Sequence, residues 1–153
     1  MTKRKNKVEN FCVTDGIITA VFDKEANTLT FSGNGAVYRS DYWLPENDRG
    51  RSWKKFVREI IFESGITSIG STQFTDLNEY CNLEKVVFQG DISSIGERAF
   101  CDNPNLTTVE FGGKCRRIET DAFRRCYSLE HCNVPVSCSV ACDAFNETLV
   151  LVK

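Results

Sequence analysis

The residues best suited to covalent chemistry in this chain are eight cysteines and a single histidine, His131. A cysteine nucleophile needs a thiol and an imidazole within hydrogen-bond reach of each other. His131 and Cys132 are neighbours in sequence, but the residues around them alternate as in a β-strand, which places the two side chains on opposite faces. A lone outward histidine is typical of a solvated side chain. The sequence therefore predicts no catalytic residue and no enzyme activity.

Metal and phosphate sites are not indicated by the sequence either. No two cysteines have the C-x₂-C spacing that zinc sites use, and one histidine does not complete such a site. The aspartates do not recur at one position of the repeat described below, so they form no calcium-binding ladder. Gly33 and Gly35 indicate a turn rather than a phosphate-binding loop. We expect neither a metal nor a cofactor.

The elements that must position these residues belong to an internal repeat. Residues 66–74 (ITSIGSTQF) return as residues 92–100 (ISSIGERAF) and again as residues 115–123 (CRRIETDAF). Leu83, Leu106 and Leu129 are spaced 23 residues apart. A fixed period of this length predicts a solenoid in which each repeat is one coil stacked on the last. The phenylalanines that end these segments are expected in the core: Phe74, Phe100, Phe123 and Phe145.

Each coil is expected to contain two short strands followed by a tight helical turn. Val86 and Phe88 alternate with neighbours that face solvent, as in a strand with one inward face. We divide the chain into a disordered basic tail (residues 1–10), a β-hairpin cap with an aromatic loop (residues 11–55) and a solenoid of about four coils (residues 56–153). Tyr42 and Trp43 of the loop are expected to pack over the end of the core, and a binding patch stays open as the alternative.

Most of the cysteines fall in repeat positions that other coils fill with apolar residues. Cys115 and Cys138 share the column of Ile66 and Ile92, and Cys132 shares the column of Val86 and Val109. Cys126 also has an interior position, whereas Cys101 and Cys142 are expected to face solvent. We expect the thiols to be reduced and to fill space in the core. A Cys115–Cys138 disulfide stays open as an alternative, because adjacent coils are close enough to permit one.

The repeat resembles the BspA-like family of leucine-rich repeats. The shared pattern is I-x-x-I-G-x-x-A-F-x-x-C-x-x-L-x-x-V-x-F, and residues 92–100 fit it almost without change. Departures include Tyr80 and Asn103 in place of the cysteine and Glu119 in place of the glycine. The resemblance implies an α/β repeat fold, a β-rich right-handed solenoid with short helical turns. It also implies protein recognition, often at microbial cell surfaces, and no catalytic residues.

A candidate protein-binding face lies on the outward side of the leucine-containing strands. Ile61 and Val87 occupy the same outward column, and a short apolar stripe within a polar rim suits a protein or peptide contact. The residues that we assign to this face are Ile61, Glu63, Lys85, Val87, Gln89, Glu110 and His131. We expect a non-catalytic binding module. The alternative is a structural segment of a longer, adhesin-like cell-surface repeat protein.

Charge and hydropathy narrow the range of partners. The formal net charge is −2, so nothing indicates nucleic acid, and no stretch is apolar enough to span a membrane. No export signal precedes the strands, which favours a cytoplasmic location for the chain as written and a surface location for a fragment. The apolar residues near the C-terminus predict an edge strand that could pair with a second copy. They are Leu149, Val150, Leu151 and Val152.

Overall fold

The computed structural model describes residues 10–38, 44–45, 52–75 and 79–151. Several features expected from the sequence lie outside these residues. They are the first nine residues of the basic tail, most of the aromatic loop with Tyr42 and Trp43, and Val152 of the expected edge strand.

Twelve β-strands run through the described residues and form two sheets. The first sheet contains β1 (Phe11–Thr14), β2 (Ile18–Asp23), β3 (Thr28–Gly33), β5 (Glu59–Phe62), β7 (Lys85–Phe88), β9 (Thr108–Phe111) and β11 (His131–Cys132), in that order. The second contains β4 (Gly35–Val37), β6 (Ile66–Ile69), β8 (Ile92–Ile95), β10 (Cys115–Ile118) and β12 (Ser139–Val140).

The two sheets are built by a chain that winds from one to the other and back. From β3 onward, each strand pairs in parallel with the strand one coil later in its sheet. The second sheet follows the same rule from β4 to β12. The chain thereby forms a β-solenoid that completes three turns between β5 and β11. This confirms the stacked coils that the repeat predicts.

Two stacks of phenylalanine rings fill the space inside the coils. One stack comes from the first sheet, where the Phe62 and Phe88 ring centroids lie 5.0 Å apart. The other comes from the turns, where the Phe100 ring lies 5.4 Å from Phe74 and 5.3 Å from Phe123. Between the stacks the rings meet edge to face, as between Phe62 and Phe74 at 5.6 Å. Stacked and edge-to-face rings are both favourable aromatic contacts, so each coil is packed against its neighbours by ring contacts.

The turns that carry the second stack are not helical. Within the described residues the structure contains no α-helix, and its only helix is a short 3₁₀-helix at Trp53–Phe56. The expected helical turn at residues 97–100 is a hydrogen-bonded turn in which the Ala99 N–H donates to the Gly96 carbonyl. The label α/β is therefore too broad, because the regular structure is almost entirely β.

A column of buried polar atoms ties the turns of successive coils together. The Asn103 amide donates to the carbonyls of Phe74 and Phe100, at 2.7 and 2.8 Å. One coil later, the Cys126 thiol donates to the Phe100 carbonyl at 3.1 Å. Tyr80 fills the same column one coil earlier and is fully buried. The residues that depart from the family cysteine thus keep its interior position.

The first sheet extends past the coils through antiparallel strands. β2 pairs with β3 across a turn at residues 24–27, and β1 pairs with the far side of β2. Trp53 packs its ring against Phe11 and Phe22 at 4.8 and 5.6 Å and donates to the Pro45 carbonyl. The core residues of β2 and β3 are therefore covered on the side that faces away from the coils.

The opposite end of the solenoid differs from the sequence-based expectation. Residues 149–151 form no strand, and the Leu149 N–H donates to the Leu129 carbonyl. The Val150 N–H donates to the Thr148 hydroxyl, so it is not free to pair with another strand. At this end of the solenoid the edge strands of the two sheets are β11 and β12 instead. The expectation of an edge strand at Leu149, Val150 and Leu151 is wrong for these residues.

All eight cysteines are present as free thiols. Cys115 and Cys126 are buried as expected, and Cys142 is exposed as expected. Cys101 was expected to face solvent, but it is only 6% exposed and its thiol donates to the Asp102 carboxylate. The reason is that a small side chain at this turn position is covered by the adjoining coil, as is Thr75, which is 3% exposed. The longer Arg124 and the last residue of the column, Asn146, are more exposed. Cys138 is half-buried rather than interior.

Candidate protein-binding face

The outward side of the first sheet consists of three rows of side chains that cross the strands. Strand alternation produces these rows, because every second residue points inward and the parallel register places equivalent outward residues side by side. The middle row is apolar or small over most of its length. The rows on either side are charged or polar. We call this surface the outer face.

The middle row of the outer face is a continuous stripe. Ile61 pairs in register with Val87, and Val87 with Glu110. In the other direction Ile61 is paired with Thr30. The stripe then continues across the antiparallel strands through Val21, which is 40% exposed, to the exposed Cys12. Ile61 and Val87 are themselves half-buried.

A charged row lies on one side of the stripe. Glu59 pairs in register with Lys85, Lys85 with Thr108, and Thr108 with His131. The Lys85 amino group lies 3.0 Å from the Glu110 carboxylate. The hydrogen bond to Glu110 is the main cause that raises the pKa of Lys85, so this ammonium group stays charged. The ion pair therefore links the charged row to the end of the apolar stripe.

A polar row lies on the other side of the stripe. Glu63 and Gln89 are exposed at the ends of β5 and β7, and Thr19 pairs with Ser32 in the antiparallel part of the sheet. The backbone here is fixed by the parallel ladder, since the Gln89 N–H donates to the Phe62 carbonyl at 2.8 Å. The outer face is thus a fixed surface with an apolar centre and hydrogen-bonding groups around it.

The sequence pattern of the BspA type leucine rich repeat region matches residues 52–151, in six copies. These residues are more than half of the chain and contain every coil from β5 to β12. The chain belongs to the BspA type leucine-rich repeat family. The membership agrees with the columns of leucine and phenylalanine from which the repeat was first inferred.

Two solved structures are similar to this BspA type chain. A leucine-rich repeat protein from Eubacterium ventriosum is 18% identical, with a TM-score of 0.50, over 85% of this chain and 45% of that chain. A leucine rich cell surface protein from Faecalibacterium prausnitzii is 20% identical, with a TM-score of 0.36, over 94% of this chain and 47% of that chain. The chain thus spans less than half the length of either structure. A comparison with curated protein sequences gave no match.

The structure brings some of the predicted face residues together and separates others. Ile61, Val87 and Glu110 lie side by side, and Lys85 contacts Glu110. Glu63 and Gln89 are exposed in the polar row, on the other side of the stripe. His131 lies at the far end of the charged row, where its imidazole is 3.3 Å from Glu130.

Sequence reasoning missed the part of the stripe that lies on β1, β2 and β3. Thr30, Val21 and Cys12 continue the row of Ile61, but they lie outside the repeat and have no counterpart in its columns. The alternation of Ile18, Ala20 and Phe22 with outward residues is the signal that could have placed Val21 on this face.

The surroundings of His131 and Cys132 are unsuited to nucleophilic catalysis. His131 is exposed, whereas Cys132 is turned toward the core and half-buried. Burial raises the pKa of the Cys132 thiol to about 12, so it stays protonated near neutral pH. Among the described residues no group of three or more histidine, cysteine or acidic side chains is placed to hold a metal ion. The same residues contain no helix that is long and apolar enough to cross a membrane.

Proposed function

We propose that this chain is a non-catalytic binding module that holds a protein or peptide partner on its outer face. The contact is centred on Ile61 and Val87 and is rimmed by Glu63, Lys85, Gln89 and Glu110. His131 lies at the margin of this surface. The observation that carries the proposal is the register that aligns Ile61 and Val87 with Thr30 and Val21 in one stripe.

The physical argument rests on the shape and stiffness of the outer face. An apolar centre inside a polar rim is the arrangement that protein interfaces share, because the centre excludes water and the rim supplies hydrogen bonds. The strands β5 and β7 are paired on both sides, so their outward side chains are held in place before a partner arrives. Binding to such a surface costs little ordering of the backbone.

The charges of the outer face favour a partner of a particular kind. Glu59 lies in the charged row, Glu63 in the polar row and Glu110 at the end of the stripe. Lys85, which is paired with Glu110, is the one basic residue beside these three acidic ones. The surface around the stripe is therefore acidic on balance. A partner that presents an apolar side chain between lysine or arginine residues is complementary to it.

The proposal is tested with a double variant of the stripe. Ile61→Lys with Val87→Lys replaces the apolar centre by two charges, while Thr67→Lys with Ser93→Lys adds the same charge at exposed positions of β6 and β8 in the second sheet. Each protein is used as bait in cell extract, and the recovered proteins are quantified against wild type. We expect the stripe variant to bind its partner at least about tenfold more weakly than wild type, which corresponds to about 1.4 kcal/mol of binding free energy.

The matched second-sheet variant should recover the partner at the wild-type level. Circular dichroism of both variants checks that the fold is retained. If the stripe variant keeps its partner at normal yield, or if both variants lose it equally, the outer face is not the binding surface.

A second candidate is a structural role as one segment of a longer repeat array at a cell surface, of the adhesin type. The chain covers 45% of the Eubacterium ventriosum structure, which favours a role as one part of a longer repeat array. In this role the antiparallel strands β1 and β2 act as a cap over the coils. The comparisons do not support the cytoplasmic location suggested by the sequence, and a surface location belongs to this second proposal.

Self-association through the C-terminal segment is a further proposal that the sequence raised. Leu149 and Leu151 are 61% and 92% exposed, so their side chains are available for contact although they form no strand. Sedimentation velocity of Leu149→Lys with Leu151→Lys tests it. A dimer of the wild-type chain that becomes a monomer in this variant supports self-association, and a wild-type monomer over the accessible concentrations excludes it.

A further inference from the structure

Two of the thiols meet at the C-terminal end of the second sheet. Cys115 is the first residue of β10, and Cys138 directly precedes β12, the strand that pairs with β10 in parallel. The Cys115 thiol donates to the Arg117 carbonyl and the Cys138 thiol to the Ser139 carbonyl, both at 3.7 Å, and the two side chains are close enough for each thiol to affect the pKa of the other. The register pairs Arg117 with Ser139, and extended by one residue it sets Cys138 beside Arg116, one residue along the coil from Cys115.

The geometry of neighbouring strands is compatible with a covalent bond between these two residues. Paired strands lie about 4.8 Å apart. Disulfides are found where the two Cα atoms are separated by about 4.4–6.8 Å. Because the two residues lie on adjacent coils and their side chains interact, a bond between Cys115 and Cys138 is sterically possible.

The two thiols differ in how easily a reagent can reach them. Cys138 lines two open cavities of about 590 and 440 Å³ at this end of the solenoid. Cys115 is only 1% exposed. A small molecule can therefore reach the sulfur of Cys138 and cannot directly reach that of Cys115. Cys132 lines the smaller cavity and is the third thiol in this region.

We propose that Cys115 and Cys138 form a dithiol site that a low-molecular-weight disulfide oxidises to an intrachain disulfide, which fastens the last two coils to each other. In the first step the Cys138 thiolate attacks one sulfur of the small disulfide and releases a small thiolate, leaving a mixed disulfide on Cys138. In the second step the Cys115 thiolate attacks the Cys138 sulfur and releases the second small thiolate. Two protein sulfurs lose one electron each, and the two released thiolates take up the two protons.

The surroundings of the two thiols set the rate of this exchange. Burial raises the pKa of Cys115 to about 12 and also raises the pKa of Cys138. The reacting species is the thiolate, so the fraction of each thiol that can react grows as the pH rises above neutral. Oxidation is therefore slow at neutral pH and faster at higher pH. This pH dependence is that of a structural cross-link that forms slowly, and not that of a catalytic thiol.

The test uses the 153-residue chain with Cys12→Ser and Cys142→Ser, which removes the two exposed thiols. This protein is incubated with glutathione disulfide, quenched in acid and analysed by intact mass and peptide mapping. We expect a loss of two hydrogen atoms, a cross-linked peptide pair that contains Cys115 and Cys138, and reversal by dithiothreitol. The oxidised protein should also melt at a higher temperature than the reduced protein.

Single variants in the same background separate this mechanism from others. Cys115→Ser should stop after the first step and keep one glutathione on Cys138, whereas Cys138→Ser should take up none in this region. Cys132→Ser should still form the cross-link. A bridge from Cys138 to Cys132, or no cross-link at alkaline pH, would overturn the proposal. The cross-link map of the background protein decides the question even if the buried Cys115→Ser variant does not fold.

Discussion

The two ends of the solenoid enclose the same stack of coils, but their cores are covered to different extents. At the N-terminal end Phe22 and Leu29 are fully buried, and Trp53 packs against the outer side of Phe22. At the C-terminal end Phe145 is 9% exposed, while Cys138 and Val140 are only half-buried. The difference shows that the burial of one coil is supplied mainly by the next, and that a strand pair and one indole can take the place of a coil.

The largest effect is expected in the middle of the ring stack. Phe100→Ala should lower the free energy of unfolding by about 3–5 kcal/mol, because the ring is fully buried and has neighbours on both sides. Urea denaturation followed by far-UV circular dichroism measures the loss. A loss below about 1 kcal/mol would show that the phenylalanine column does not form the core.

Trp53→Ala tests whether the N-terminal end is closed by this side chain. The substitution removes a ring that contacts Phe11, Phe22 and Tyr80, together with the hydrogen bond to Pro45. We expect a loss of about 3 kcal/mol in the same urea experiment. Trp53→Phe is the control, since it keeps an aromatic ring and loses the hydrogen-bond donor. If the alanine variant is as stable as wild type, the indole does not cover the core.

Phe145→Ala is the matched substitution at the C-terminal end. Its ring is stacked on Phe123 at 5.1 Å on one side and borders an open cavity on the other. Because fewer contacts are lost, we expect a cost of about 1–2 kcal/mol. A loss of unfolding free energy equal to that of Phe100→Ala would mean that the C-terminal coil is packed as tightly as the middle coils.

The smallest expected effect is a local difference in the hydrogen-exchange rates of two backbone amides. The amides of Gly96 and Ala141 occupy equivalent positions and donate to the preceding coil, to Ile69 at 2.8 Å and to Ile118 at 2.9 Å. We expect Ala141 to exchange at least about tenfold faster, because opening the last coil exposes less buried surface. Nuclear magnetic resonance on the labelled wild-type protein measures both rates. Equal protection at the two sites would indicate that all coils open together.

The repeat made the coil architecture predictable, since columns such as Leu83, Leu106 and Leu129 constrain every coil to the same conformation. The incorporation of β3 and β4 into the two parallel ladders was not foreseen. They pair with β5 and β6, yet their sequences lack the repeat motif. Pairing of this kind depends on backbone hydrogen bonds, which leave little trace in side-chain identity.

The same distinction holds for the outer face and for the thiols. Ile61 and Val87 could be placed side by side because they hold equivalent positions in successive repeats. Val21 joins them through an antiparallel strand that lies outside the repeat, so no repeat position indicated its place. The burial of Cys101 was missed because polar residues in its column suggested solvent. A small side chain at a turn position can be covered by the adjoining coil, and the sequence of one coil does not report how its neighbours cover it.

Each strand of the coils pairs with the strand one coil away, and this pattern also affects how the chain folds. Ile60 pairs with Val86, and Val86 with Val109, so each new strand docks on the one that the chain has just completed. The loops that must close are short and nearly equal, and their entropic cost grows only slowly with length. Folding can therefore nucleate in any well-packed pair of coils and spread outward to both sides, without the slow search that distant β pairing requires.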